Sequence, residues 1–205
     1  MTDRPSQTPD DRLARVRASL EESARLTRET LEVAGPRIAE AGELLVATFR
    51  EGGRLLAIGN GGSAADAQHL CAELAGRFDR ERPGLPALAL TTNSSDVTAI
   101  GNDYGFERVF ARLVEAHGRR GDVLVAISTS GKSPNVIAGV EAAQDRGLRV
   151  VGLLGKGGGA LAARVDVAIA VPSDVTARVQ ESHIAVLHAL CELVEGELFP
   201  ETVEA

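Results

Sequence analysis

Apolar and polar positions alternate along the chain in blocks. Short, almost wholly apolar runs fall at residues 55–58, 87–90, 122–127, 149–154 and 166–171. Runs of this length, bounded by Gly, Asn and Ser, suit strands buried on both faces. Between them lie longer stretches with helical character, at residues 64–75, 97–100, 106–117, 134–145 and 176–199. At Gly101-Asn102-Asp103-Tyr104-Gly105 the pattern predicts an interruption between two helices. Strands alternating with helices give a parallel sheet with helices on both faces. The expectation is an α/β domain with a five-stranded, doubly wound, flavodoxin-like sheet.

Two helices are expected before the first strand. Residues 11–33 place Leu13, Val16, Leu20 and Leu31 on one face, and residues 37–50 do the same with Ile38, Leu44, Leu45 and Phe49. Gly35-Pro36 is read as the break between them. Such helices lie outside the alternating pattern and could cover a sheet edge or another subunit. Residues 1–10 are polar with two prolines and read as a disordered tail, as do residues 201–205. One domain over residues 11–200 is the reading, with no internal repeat.

The chemistry concentrates in turns that follow strands, where ligands of open α/β sheets bind. After the first strand comes Gly59-Asn60-Gly61-Gly62, with Ser63 as the expected N-cap of the next helix. Free N–H groups and a helix N-terminus there favour an anion or a polar sugar. On that helix His69 and Glu73 are four residues apart and share a face. The pair can hold a divalent metal, divide acid and base roles, or simply form a solvated helix contact. After the third strand, Ser128-Thr129-Ser130-Gly131-Lys132-Ser133-Pro134 offers hydroxyls and backbone N–H groups suited to a phosphate monoester. Its spacing is not that of a P-loop. The closing helix carries Gln180, His183 and His188. Gln180 and His188 are eight residues apart, about 12 Å along a helix. They can reach one metal only by leaning together or by coming from two chains. His188 on an apolar face also fits a core histidine, and His183 reads as structural.

Composition narrows the classes. The chain has 205 residues, 44% hydrophobic and 25% charged, with a formal net charge of −7. That balance suits one soluble globular domain and gives no nucleic-acid surface. No apolar run is long enough to span a membrane and no signal-peptide core is visible, so a cytoplasmic protein is expected. Aromatic residues make up only 3%, leaving the core to Ala, Val, Leu and Ile. Cys71 and Cys191 read as buried thiols.

Taken together, GNGGSAADAQHLCAEL, the GND of residues 101–103, ISTSGKS, and Q-x-x-H-x-x-x-x-H over residues 180–188 resemble the phosphoheptose isomerase family of sugar-isomerase (SIS) domains. The likeness runs from about Leu13 to Phe199. It implies interconversion of sedoheptulose 7-phosphate and D-glycero-D-manno-heptose 7-phosphate through an enediol, the first step of ADP- or GDP-heptose biosynthesis. It also implies a homotetramer with sites at subunit interfaces and one zinc per subunit, held by His69, Glu73, Gln180 and His188. Ser128, Thr129, Ser130 and Ser133 match the family's phosphate loop. Asn60, Gly61, Gly62, Asn102 and Asp103 match its sugar contacts, and Glu73 and His188 its catalytic pair. One position departs: where some members carry an acidic residue three before the glutamine, this chain has Ala177. The alternative is a related, non-catalytic SIS tetramer that binds the bacterial replication initiator. The complete set of His69, Glu73, Gln180 and His188 favours the isomerase.

Overall fold

The structure is a computed structural model that describes residues 8–200. The tails expected at residues 1–7 and 201–205 lie outside the described residues. Residues 8–10 are not tail. Thr8 caps helix α1 (Pro9–Arg50): its hydroxyl accepts the Asp11 N–H at 3.2 Å, and the Asp11 carboxylate accepts the Thr8 N–H at 3.1 Å. This reciprocal box, with Pro9 in the first turn, starts the helix early.

Helix α1 is one continuous helix of 42 residues, not two. Pro36 removes one helical hydrogen bond, yet it lies on the exposed side, where water can take the freed carbonyl. The buried stripe Leu26, Thr30, Ala34, Ala41, Leu45, Thr48 runs past it without a change of face. Packing on the body therefore overrides the proline. The face expected to be covered in the first half is instead outward. Leu13, Val16, Leu20 and Leu31 are 55–67% exposed.

The remaining elements are β1 (Leu55–Gly59), α2 (Gly62–Ala75), β2 (Ala87–Ala89), α3 (Ser94–Tyr104), α4 (Val109–His117), β3 (Val123–Ser128), α5 (Pro134–Asp145), β4 (Arg149–Leu154), β5 (Val167–Ala170) and α6 (Thr176–Leu198). All five strands are parallel, in the order β2-β1-β3-β4-β5, which is the doubly wound arrangement the alternation predicts. Side chains alternate across the sheet. Leu55, Ala57, Val123, Val125, Ile127, Val151 and Leu153 pack under α1, α2 and α6. Leu56, Ile58, Leu124, Ala126, Val150 and Leu154 pack under α4 and α5. Cys71 and Cys191 are buried free thiols, and burial pushes both up to about 12.

Two local readings change. Helix α2 starts at Gly62 with Gly61 at its N-cap, so Ser63 lies inside the helix, buried, and does not cap it. The turn winds straight onto the helix, with the Ser63 N–H donating to the Asn60 carbonyl at 3.0 Å. Helix α3 also runs through Gly101. The Asn93 side chain caps it at Ser95 and Asp96, and it ends only at Gly105.

Candidate active site

β1 sends the chain to α2 on one face, and its neighbour β3 sends it to α5 on the other. Between their carboxyl ends lies the crevice where such sheets bind ligands. The turn after β1 is tied to the start of α5 by a reciprocal amide pair. Asn60 Nδ2 donates to Asn135 Oδ1 and Asn135 Nδ2 to Asn60 Oδ1, both at 2.8 Å. Asn135 is 3% exposed. A cavity of about 140 Å³ opens beside this turn, lined among others by Asn60, Gly61, Ala64, Thr91 and Phe106.

The loop after β3 is folded on its own hydroxyls. Ser128 Oγ accepts the Gly131 N–H at 3.1 Å and lies 3.2 Å from Ser133 Oγ, while Ser130 Oγ accepts the Lys132 N–H at 3.2 Å. Gly131, at φ 61, fits beneath the 158–159 backbone, where a Cβ would collide. Ser128 is thereby buried as loop scaffold, and Thr129, Ser130 and Ser133 are the half-exposed hydroxyls beside the N-terminus of α5.

α2 and α6 lie side by side and run the same way, and three of the expected site residues meet between them. His69 Nε2 is 3.1 Å from His188 Nε2 and 3.2 Å from Glu73 Oε1. The two imidazole centroids are 5.0 Å apart, and the Phe78 ring lies beside His188, centroid to centroid 5.6 Å. Gln180 is not with them. Its amide fills the space over Gly62, where a side chain would collide with it. Gly62 and His69 are seven residues apart, so Gln180 stands roughly 10 Å up the helix from the cluster. Among the described residues no three His, Cys, Asp or Glu side chains are already arranged to hold a metal ion. Asn102 and Asp103 are exposed on the last turn of α3, bonded to each other at 2.8 Å, and do not line the cavity. Ala177 is exposed in the first turn of α6.

Two buried ionisable groups flank the site. Burial pushes Asp66, one turn before His69, up to about 6, against the pull of His69, and its Oδ2 has no partner. Burial holds His183 down at about 4, although its ring nitrogen sits 3.1 Å from the Leu154 carbonyl. Their effects on stability oppose each other. His183 takes up its proton more readily when unfolded, so its contribution is lost as pH falls from about 6.5 to about 4, some 3 kcal/mol in all. Asp66 takes up its proton more readily when folded, so stability is gained as pH falls from about 6 to 3.8. We expect chemical denaturation to show the acid loss of stability from His183 partly offset by Asp66 in the parent. Asp66→Asn should show a clear decline below pH 6.5; a flat profile in that variant would remove His183 as the acid-sensitive group.

Sequence reading missed Asn135 and Phe78. Asn135 lay one residue beyond the serine loop, but its partner is 75 positions away. Phe78, four residues past the end of the quoted motif, carried no chemical signal of its own.

The chain also compares closely with known proteins. The family model "SIS domain" matches residues 20–155. A phosphoheptose isomerase from Roseiflexus sp. (strain RS-1) is 54% identical over 195 residues, 95% of this chain and 99% of that protein. One from Rhodospirillum rubrum is 58% identical over 163 residues, 80% of this chain and 87% of that protein. Among solved structures, the phosphoheptose isomerase GmhA of Neisseria gonorrhoeae superimposes with a TM-score of 0.85 at 47% identity, over 90% of this chain and 98% of that one. Fold, motif order and overall similarity agree: the chain belongs to the phosphoheptose isomerase family of SIS-domain proteins.

Proposed function

We propose that the protein is an aldose–ketose isomerase that interconverts sedoheptulose 7-phosphate and D-glycero-D-manno-heptose 7-phosphate. The observation that carries the mechanism is the meeting of His69, Glu73 and His188 on the two parallel helices. Isomerisation moves a proton between C1 and C2 and needs a base at carbon and an acid at oxygen. The Glu73 carboxylate is the base and His188 the acid that serves the sugar oxygens. The phosphate sits at the N-terminus of α5, on Thr129, Ser130 and Ser133, where backbone N–H groups and the helix dipole favour an anion. The distance of about 10 Å between the Gly-rich turn and the cluster suits an extended seven-carbon sugar phosphate.

The donor set fits zinc. Ligands about 2.0–2.2 Å from a tetrahedral zinc stand roughly 3.4 Å from one another. His69 Nε2 lies 3.1 Å from His188 Nε2 and 3.2 Å from Glu73 Oε1, so two of these separations are already close to that value. His69, Glu73 and His188 would hold the ion, with Gln180 as a further ligand only if a second chain supplies it. Such an ion supplies polarisation of the carbonyl and of the enediolate oxygens. A carboxylate held by the ion would be a weaker base, which sets the ligand role of Glu73 against its role as base unless the ion mainly orders the site.

A homotetramer with shared sites is part of the same proposal. The cavity of about 140 Å³ is small beside the ~300–1,000 Å³ of usual ligand pockets, which supports a site completed by another chain. The reading as a replication-initiator regulator draws no support from the comparisons, whose close relatives are named phosphoheptose isomerases. Among the described residues no helix is long and apolar enough to cross a membrane. The direct test is to incubate the purified protein with sedoheptulose 7-phosphate and follow the sugar by NMR. Aldose signals should grow in; no conversion with or without added zinc would overturn the reading.

The phosphate assignment has its own test. Replacing Ser130 and Ser133 together with Ala should raise KM roughly ten- to a hundredfold for each lost bond to the charged group. The melting temperature should fall only slightly, because each hydroxyl makes one loop hydrogen bond and both residues are half-exposed. An unchanged KM would move the phosphate elsewhere.

A further inference from the structure

We infer that the buried Arg82–Glu195 pair is a positioning device for the reaction, which sets the register between the helix carrying His69 and Glu73 and the helix carrying His188. The inference rests on the catalytic reading above. Arg82 and Glu195 side chains are 2% and 3% exposed, and Arg82 Nε donates to Glu195 Oε1 at 2.8 Å. Burying two charges is costly, and such a pair is weak ground for stability alone. Here every remaining polar atom is committed to backbone around the site.

The guanidinium closes the end of α2. Its Nη2 donates to the Glu73 carbonyl at 2.8 Å, and its Nη1 to the carbonyls of Leu74, Gly76 and Pro83 at 2.6, 3.1 and 3.2 Å. The carbonyls of Glu73, Leu74 and Gly76 belong to the end of α2, where carbonyls lack helical partners and a cation is favoured. The residue whose carboxylate serves as base thus has its own backbone oxygen held by Arg82. The Glu195 carboxylate reaches the opposite way. It accepts the N–H groups of Phe78, Asp79 and Arg80 at 3.0, 2.9 and 2.9 Å. Burial pushes Glu195 up, but these donors and Arg82 outweigh it and hold the group at about 2, charged throughout the working range. Phe78, fixed in this way, lies against the ring of His188.

The geometry is a clamp. Glu195 is seven residues past His188 on α6, on the same side of the helix and about 10 Å along it. Arg82 grips α2 at Glu73. A shift of α2 along α6 by one residue, about 1.5 Å, would break the 3.1 Å contact between His69 and His188. Lysine cannot replace the fork, because one ammonium cannot serve Nε, Nη1 and Nη2 directions together.

The test compares Arg82→Lys, Arg82→Ala and Phe78→Leu with the parent, beside Glu73→Gln and His188→Ala. Misplacement on the order of 1 Å costs roughly 10²-fold, so Arg82→Lys should lower kcat by about that factor. KM should stay within about threefold, since the phosphate contacts lie elsewhere. Millimolar guanidinium should restore kcat in Arg82→Ala, whereas methylammonium should not; a variant that is merely unstable would be harmed further by guanidinium. An Arg82→Lys protein with parental kcat overturns the inference. Should both Arg82 variants melt below the assay temperature, Phe78→Leu decides: a lowered kcat at unchanged melting temperature supports the clamp, and a parental kcat overturns it. If Glu73→Gln and His188→Ala themselves stay active, it is the catalytic reading that has failed.

Discussion

Glu73→Gln and His188→Ala are each expected to lower kcat by the ~10²–10⁴-fold typical of lost general acid–base catalysis. The reason is local. Both side chains converge on His69 between two helices whose packing fixes their separation, and both are only partly buried, so they can meet a substrate. Gln keeps the size of Glu73 and removes its charge and its basicity. Ala at His188 removes the acid and leaves Phe78 facing a gap. Glu181→Gln is the control: Glu181 is exposed, pairs with Arg178 at 2.7 Å, and points about 100° around the helix from Gln180. Zinc analysis of the same proteins should give about one ion per chain in the parent, much less in His69→Ala, and the parental value in Glu181→Gln. Near-parental rates in Glu73→Gln and His188→Ala would show that the reaction runs on other groups. A parental zinc content in His69→Ala would place the metal elsewhere.

The sheet was legible because its strands are buried on both faces. Leu55, Leu56, Ala57 and Ile58 have no polar side to confuse the reading, and the same holds for Val123 to Ile127. The helix boundaries near the turns were less so. Ser63 has the chemistry of a cap, but the glycines before it let the chain wind into helix two residues sooner. Gly101 and Pro36 are ordinary signs of a break. In both places a strong start and continued packing outweigh one poor residue: the Asn93 cap on α3, and the buried stripe from Leu26 to Thr48 on α1.

Within the site, spacing on one helix was readable and pairing between distant segments was not. His69 and Glu73 announce a shared face at four-residue spacing. Nothing in the sequence says that Asn60 meets Asn135, that Phe78 lies beside His188, or that Arg82 finds Glu195 over 113 positions. The first follows from β1 and β3 being neighbours in the sheet and the other two from α2 and α6 lying parallel, which are tertiary facts. The family likeness implies Gln180 beside His69, whereas the helix rise keeps Gln180 about 12 Å from His188 along α6, a separation that the fold retains.

Assembly is where a single surface change should have its second large effect. Leu31 and Val33 are 67% and 61% exposed, and Leu31 edges a groove of about 140 Å³ with Ile38, Ala185, Val186 and Ala189. A second cavity of about 260 Å³ follows between α1 and α6, lined by Gly42, Val46, Ala47 and Leu193 among others. The second cavity is also edged by Glu43, Arg50 and Glu197, so the exposed apolar surface suited to association is the part around Leu31. Leu31→Glu places a charge there without touching the core, so the fold of one chain should hold within about 0.5 kcal/mol. Burying that charge against another chain is unfavourable unless it is paired. If the chain forms the homotetramer proposed above, light scattering should show its loss, and activity should fall by roughly 10²-fold as the site loses the groups that a neighbouring chain would supply. Leu31→Met should leave both unchanged. A Leu31→Glu protein that runs as a folded monomer with full activity would show that one chain holds the whole site.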